Sequence, residues 1–352
     1  MRKDFENEVL ISFEKLVEKL ENKAINVDLV KKAFNLACIA YRKQLETSNK
    51  PSILHSLEVA KIVADFNMDT HSIVAAFLHD TIVNDSDMRD NFGREIADIL
   101  KEITELNEIE NDTPFLDNKE EIEKYQKSLY ITSENTKVWV IKLANRLHKM
   151  QRLNQISDLA ERKRVAETTI VIYAESAAKM GFRYFKEELQ ALAFAELCPE
   201  ENKHIKTQVE ELKGKNKNLV KEIEDDLKNI LLSSNLDYIE ISGREKKPFS
   251  IWHKIHNRDV PFKDMTDIFA FRVIVKNVEH CYEALGIIHS NYCVIDGGFK
   301  DYIDDPKKNG YQSLHTIVIV SKGHKVEIQI RTKEMHEVAE FGDAAHWQYK
   351  KG

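Results

Sequence analysis

Apolar positions recur at helical spacing through the first two-thirds of the chain. Phe5, Val9, Phe13, Leu16 and Leu20 follow it, as do Val30, Ala33, Phe34 and Ala37. Segments 56–66, 70–84, 93–105, 119–130, 137–152 and 161–180 predict further helices, and the stretch from Asn107 to Asn118, with Asp112-Thr113-Pro114, predicts a loop. The charge-rich stretch 201–232 keeps Val209, Leu212, Leu219, Ile223 and Leu227 at helical spacing and predicts a helical connector with solvated charges. Near residue 236 the period shortens. Tyr238, Ile239 and Ile241 open a strand-like stretch, and Phe269 to Val275 is an apolar run of strand length. Leu314 to Val320 and Lys325 to Ile330 flank Ser321-Lys322-Gly323-His324 and predict a hairpin. Helical pieces at 249–256, 279–289 and 333–347 lie among these strands. The expectation is an α+β multidomain chain with an all-helical domain over 1–195, a helical connector over 196–235, and a mixed β-sheet domain flanked by helices over 236–352.

Composition narrows the class. The 352 residues are 42% hydrophobic and 32% charged, which excludes fully disordered and collagen-like chains. With 11 glycines and 6 prolines, long helices are expected rather than a turn-rich sandwich. No apolar run reaches the roughly 18 residues of a membrane span, and Met1-Arg2-Lys3-Asp4-Phe5 is followed by charge rather than an apolar signal region. Four widely spaced cysteines fit a reducing compartment, so a cytoplasmic location without membrane contact is expected. The net charge of −7 is uneven. Residues 241–352 carry 17 Lys+Arg against 15 Asp+Glu, or +2, and the rest carries −9. An acidic first two-thirds argues against general nucleic-acid binding, while the last third can hold a phosphorylated small molecule.

Two constellations carry candidate chemistry. In the first, His79-Asp80 ends the apolar run from Ile73 to Leu78, with His55 upstream. Imidazole and carboxylate together suit a divalent cation, although a histidine that only finishes a helix end reads the same way. In the second, Arg244, Lys246, Lys247, Lys254 and Arg258 crowd one short stretch, and a helix over 249–256 puts Ser250 and Lys254 one turn apart. Asp267 stands just ahead of an apolar strand, a common support for a Mg²⁺ ligand. Alternation puts Glu327, Gln329 and Arg331 on one strand face and Val326, Ile328 and Ile330 on the other. Lys300-Asp301-Tyr302, Lys307 and the Asn309-Gly310 turn before Tyr311 add cations and an aromatic ring. Taken singly, these stretches also read as a solvated basic helix, a half-exposed sheet and a lysine-rich surface loop.

In combination the residues resemble the RelA/SpoT homologues, enzymes that make and destroy (p)ppGpp. The matching stretches are Gly243-Arg244 with Lys246, Ser250-Ile251 with Lys254, Asp267 with Arg272, and Phe299-Lys300-Asp301-Tyr302-Ile303. They continue with Asn309 to Thr316, Glu327 to His336, and Ala344-Ala345-His346-Trp347. The resemblance implies a nucleotidyltransferase-like sheet and Mg²⁺-dependent transfer of pyrophosphate from ATP to the ribose 3′-OH of GDP or GTP, as in the stringent response. It implies Mg²⁺ on Asp267 and Glu327, with Glu327 also helping to deprotonate the 3′-OH. Arg244, Lys246 and Lys254 would hold ATP. Lys300, Lys307 and Asn309 would position the guanine nucleotide, and Tyr311 would stack on guanine. Arg272 belongs to the matched set, and His315, Gln329 and Arg331 would line the cleft. Long relatives continue into domains that sense stalled ribosomes, so any ribosome contact is expected through segments outside this chain.

The helical half resembles the family's HD-type hydrolase through Arg42, His55, His79, Asp80 and the run from Lys142 to His148. An intact site of this kind would take Mn²⁺. Here Asn145 stands where the family's fourth ligand is Asp, and Val83-Asn84 stands where it has an acidic pair. Lys149 and Arg152 replace the Asn and Thr of the family's LHNMRT run. These departures predict a retained fold with a degenerate hydrolase. The alternatives are a bifunctional enzyme with Mn²⁺-dependent hydrolysis, and a nucleotide-binding regulatory module without turnover. Gly298-Phe299-Lys300-Asp301 keeps the lysine of the family's RxKD loop without its arginine, so the choice between GDP and GTP stays open.

Overall fold

The protein is described by a computed structural model over residues 2–45, 53–81, 85–112, 119–215, 218–265, 267–320 and 323–342. The chain divides into two compact units, one built on Met1–Asp158 with Val171–Ser176 and the other on Leu159–Ile170 with Ala177–Ala345.

The first unit is helical. Its elements are α1 (Arg2–Glu21), α2 (Val27–Leu45), α3 (Ile53–Asp65), α4 (Thr70–Leu78), α5 (Asp85–Phe92), α6 (Arg94–Asp112), α7 (Lys119–Thr132) and α8 (Thr136–Gln151). Short polar side chains start several of them by accepting from the next free amides: Asn26 from Leu29, Asp69 from Ser72 and Asn135 from Lys137, each at 3.0 Å. Every residue of α4 from Ser72 to Leu78 is buried, so this helix has no solvent face along that run and forms the axis of the unit. Phe13 stacks on Phe34 with ring centroids 3.8 Å apart, and Phe77 of α4 meets both edge-on. The helix predicted over 70–84 ends at Leu78, with His79 as its cap, and Thr81 Oγ1 donates to the Leu78 carbonyl. The predicted loop at 107–118 begins late. Ile103, Leu106 and Ile109 prolong one apolar stripe, and α6 follows it to Asp112.

The helix expected over 161–180 is interrupted. It comprises α9 (Leu159–Thr168), a π-helical turn at Thr169–Ala174 and α10 (Glu175–Lys179). Thr169 Oγ1 donates back to the Val165 carbonyl at 2.6 Å, a side-chain bond that competes with the regular ladder at the start of the turn.

The second unit adds α11 (Arg183–Leu197), α12 (Pro199–Lys215), α13 (Leu219–Ser233), β1 (Glu240–Glu245), α14 (Pro248–Arg258), β2 (Phe269–Val275), α15 (Val278–Asn291), β3 (Cys293–Val294), β4 (Lys300–Asp301), β5 (Leu314–Ile319), β6 (Lys325–Thr332) and α16 (Lys333–Phe341). The sheet order is β1-β2-β6-β5-β3, with β4 beside β5. Among the described residues, only the β2–β6 pair is parallel. The predicted hairpin is present, and Val320 N–H donates to the His324 carbonyl at 2.8 Å across its turn. The helix predicted over 333–347 runs to Phe341 as α16, and residues 343–347, with His346-Trp347, lie outside the described residues.

Period-2 alternation gives this sheet two unlike faces. On one, Phe271, Val273, Ile328, Ile330, Leu314 and Val318 are buried in one apolar core with Ile223, Leu227 and Leu231 of α13 and Cys281, Ala284 and Ile288 of α15. The stretch expected as a connector, 196–235, therefore belongs to the body of the second unit. Its apolar stripe is too continuous to stay in water, and Ile205 and Val209 of α12 join the same core. Gly243 marks where α13 crosses β1 closely. A Cβ there would stand 2.6 Å from Val220 Cγ1, and its N–H donates to Glu224 Oε1 at 2.6 Å. The strand containing it starts at Glu240 and takes up Gly243-Arg244-Glu245, so the front of the basic stretch is strand.

The core position of α13 is testable. Leu227→Ala should lower stability by about 2–5 kcal/mol in denaturant unfolding. A change within about 0.5 kcal/mol would return this helix to a solvated connector.

Candidate functional site

The opposite face of the sheet is polar, and strand register aligns it in rows. Ser242 pairs with Arg272, Arg272 with Gln329, Gln329 with His315, and His315 with Lys300. The next row runs Arg244, Ala270, Glu327, Ile317. Asp267 sits at the entrance to β2. Both its neighbours on the basic stretch turn onto it: Lys246 Nζ donates to Oδ2, and Lys254 Nζ does so at 2.5 Å. Burial alone would raise the Asp267 pKa, but the two ammonium groups hold it below the usual carboxylate range. Burial also lowers the Lys246 pKa, opposed by the Asp267 charge.

Glu327 is held differently. Its Oε1 accepts from His315 Nδ1 at 2.7 Å, and its Oε2 accepts from the Gln329 amide at 3.2 Å. His315 Nε2 lies 2.7 Å from the Tyr311 hydroxyl. Burial raises the Glu327 pKa, and the His315 bond and charge outweigh it, so the carboxyl lies below its ordinary value. The Asp267 charge also acts on Glu327, opposing that fall.

The remaining predicted residues surround this pair. Arg244 reaches Glu187 Oε1 on α11 at 3.7 Å. Arg272 Nη1 lies 3.2 Å from Glu340 Oε1 and 3.1 Å from His336 Nδ1, both on α16. Arg331 is 1% exposed and reaches Glu340 at 3.5 Å. Burial pulls its pKa down to about 10. Lys307 Nζ stands 4.4 Å from the centre of the Tyr302 ring and 5.0 Å from that of Tyr311. The Asn309-Gly310 turn closes with Gly310 N–H on the Lys307 carbonyl, and Asn309 Oδ1 takes the Tyr311 N–H. Lys300 lies on β4 beside His315. The polar face of β6 is largely covered, because Gln329 and Arg331 are buried, which disfavours the alternative of a half-exposed sheet. Sequence reading did not assign roles to Glu340, His336 or the α11 pair Arg183–Glu187, whose i,i+4 spacing was the only local signal.

The donor set fits a hard divalent cation. Asp267 Oδ1 is buried with no hydrogen-bond partner among the described residues. Together with Glu327 it offers the carboxylate oxygens that such an ion prefers.

In the helical unit, α4 and α3 deliver a second candidate metal centre. Ligand atoms of His55, His79 and Asp80 lie within 4.8 Å of one another. His79 Nδ1 donates to the Ala76 carbonyl at 2.7 Å, which leaves Nε2 buried, without a hydrogen bond among the described residues and 3.3 Å from Asp80 Oδ2. His55 Nε2 is 3.5 Å from the same oxygen, and its Nδ1 is 2.7 Å from His148 Nδ1. Burial drives the His55 pKa down to about 3, aided by the charges of His79, His148 and Arg152 against Asp80, so its ring is neutral and ligand-ready. Asn145 lies one turn before His148 on α8, half-buried. The side chain of Arg42 and residues Val83-Asn84 lie outside the described residues.

Comparison with known proteins bears on both units. Residues 243–352 match a family described as a region found in RelA/SpoT proteins, and residues 33–183 match an HD domain family. The chain thus carries an HD domain followed by a RelA/SpoT region. A protein named GTP pyrophosphokinase rsh, from Brucella melitensis, is 38% identical over 95% of the chain and 45% of its own length. The bifunctional (p)ppGpp synthase/hydrolase SpoT of Escherichia coli is 36% identical over 91% of the chain and 46% of its own length. The chain therefore spans about half the length of these curated relatives. Among solved structures, the small alarmone synthetase 1 of Bacillus subtilis bound to its product pppGpp is 26% identical, with a TM-score of 0.34, over 42% of this chain and 83% of that one. Among the described residues, no helix is long and apolar enough to cross a membrane.

Two outcomes follow from the buried groups. The neutral His55 and, at about 4, the depressed His336 bind protons more weakly when folded than when unfolded. Stability should be full above about pH 6.5 and fall as the pH drops towards 4 and 3, read by urea unfolding of metal-free protein. Glu340→Ala leaves the buried Arg331 and the half-buried Arg272 without this carboxylate and should cost about 3 kcal/mol in the same measurement.

Proposed function

We propose that this chain synthesises (p)ppGpp, moving pyrophosphate from ATP to the 3′-OH of GDP or GTP. The observation that carries the reading is the pair of ionised carboxylates, Asp267 and Glu327, set among cations on one sheet face. A module that only bound nucleotides would need the cations more than the paired acids, and this argues for turnover. Mg²⁺, held by Asp267 and Glu327, would bind the ATP phosphates and offset charge as the transfer proceeds.

The residues then take distinct roles. Arg244, Lys246 and Lys254 hold the ATP polyphosphate, the two lysines being already gathered on Asp267. Tyr311 presents its ring to the guanine base, and Lys300, Lys307 and Asn309 position the acceptor. Glu327 accepts the proton of the 3′-OH. Its bonds from His315 and Gln329 keep it ionised and orient it. The 3′-oxygen forms a bond to the β-phosphorus while the bond from that phosphorus to the α-phosphate oxygen breaks, and AMP leaves with that oxygen. Chemistry of this kind depends on positioning and charge stabilisation, which a rigid sheet supplies.

For the helical unit we propose a retained metal-binding fold with hydrolysis largely lost. His55, His79 and Asp80 keep three ligands together, but Asn145 contributes a neutral oxygen in place of a carboxylate, and Val83 can carry no proton. General acid–base help is worth about 10²–10⁴-fold, so its loss outweighs a retained cation. A bifunctional enzyme is the second reading, favoured by the buried Nε2 of His79, which lies beside Asp80 without a hydrogen bond among the described residues.

Radiolabelled ATP with GDP or GTP and Mg²⁺ tests the synthetase. Wild type should yield AMP and (p)ppGpp, and Asp267→Ala should abolish both with an unchanged circular dichroism spectrum. Undiminished turnover in that variant would overturn the site. Incubation with ppGpp and Mn²⁺ tests the second unit. Pyrophosphate release at enzymatic rates would establish the bifunctional reading instead.

A further inference from the structure

Helix α11 lies outside both family matches except for its first residue, since they end at 183 and begin again at 243. Its N-terminal end nevertheless abuts the loop expected to hold the acceptor. A Cβ placed on Gly181 would stand 3.2 Å from Gly342 Cα and 3.9 Å from the Asn309 carbonyl oxygen. Arg183 opens the helix immediately after this contact, and Lys186 follows one turn later on the same side. Arg183 Nε donates to Glu187 Oε1 at 2.7 Å, and the same carboxylate oxygen is 3.7 Å from Arg244. One carboxylate is thus shared between two arginines. Lys186 has no carboxylate within ion-pair distance among the described residues.

Charge in this corner is unbalanced. Lys307 rests on the faces of Tyr302 and Tyr311, a contact that supplies no formal negative charge. Burial lowers its pKa, and the charges of Lys300, Arg183 and Lys186 add to the fall, opposed by Glu327. Lys307 thus sits on the aromatic pair within the field of three further cations, with Glu327 opposing them there and Glu187 and Glu340 acting on Arg183. Such crowding is costly in the protein alone and is relieved by a polyanion.

We propose that α11 reads the acceptor nucleotide's 5′-polyphosphate, with Arg183 and Lys186 receiving its terminal phosphates beyond the loop of Lys307, Asn309 and Tyr311. This rests on the synthetase reading and makes the helix between the two family regions a determinant of acceptor choice. Arg183 offers a planar fork to phosphate oxygens, and Lys186 offers a point charge. The count of 5′-phosphates then sets affinity, with GTP above GDP above GMP.

Binding, rather than turnover, tests this. The affinities of the full chain for GTP, GDP and GMP are measured calorimetrically, alongside a non-hydrolysable ATP analogue. Wild type should follow the stated order. Lys186→Ala and Arg183→Ala should each weaken GTP about tenfold, as expected for a lost charge-assisted bond, and GMP by much less. Lys186→Glu should weaken GTP further, and Arg183→Lys, which keeps the charge should the alanine variant misfold, should recover part of the loss. Equal weakening of GTP and GMP, no weakening in the lysine variants, or loss confined to the ATP analogue would overturn the proposal while leaving the synthetase reading in place. Failure of wild type to bind any guanine nucleotide would overturn the synthetase reading itself.

Discussion

A carboxylate stays ionised inside a protein only when cations or hydrogen-bond donors stand against it, and the polar face of the sheet is built under that constraint. Two lysines meet Asp267, His315 and Gln329 meet Glu327, and Glu340 answers two arginines. Each acid takes at least one partner from elsewhere in the fold: Lys254 on α14 for Asp267, His315 on β5 for Glu327, and Arg272 and Arg331 on β2 and β6 for Glu340. The face can therefore exist only after β1, β2, β5 and β6 are in register and α14 and α16 have docked. The apolar face supplies that order. Its interlocked core with α13 and α15 holds the register without using any of the charged groups, which leaves them available for chemistry.

The helical unit solves a similar problem with one buried helix. Because α4 is apolar on every side from Ile73 to Leu78, its end is fixed by packing, and His79 and Asp80 are presented at that end. The Ala76 carbonyl then sets the tautomer of His79, and burial keeps His55 neutral. Lys137 and Lys142, both buried on α8, are neutralised by Asp69 and Glu95 and by Glu110 respectively, so charge buried away from the candidate centre is paired. The packing that positions His79 and Asp80 comes from the apolar run of α4.

Much of this was legible in the linear chain. The alternation of β6 predicted which side chains share a face, and the apolar run ahead of His79 predicted a buried helix. The motif stretches from Asn309 to Thr316 and from Glu327 to His336 pointed to one site. Other features were not legible. The stretch 196–235 read as a solvated connector because its charges outnumber its apolar residues, and only its packing against the sheet reveals the stripe as core. The loop expected after Asn107 began late for a related reason: Ile109 gains from prolonging the stripe of α6, a benefit visible only when a neighbouring surface exists to receive it.

The sequence by itself determined the periods, the residue chemistry and the order of the two units, since these depend on spacing along the chain and on side-chain type. The tertiary structure decided which charges meet: that Lys246 and Lys254 share one carboxylate oxygen, that Glu340 on α16 serves Arg272 and Arg331, and that α11 comes to lie beside Asn309. Those pairings join residues up to about 130 positions apart. No local propensity encodes them, because they arise from the packing of surfaces that form only when the chain has folded.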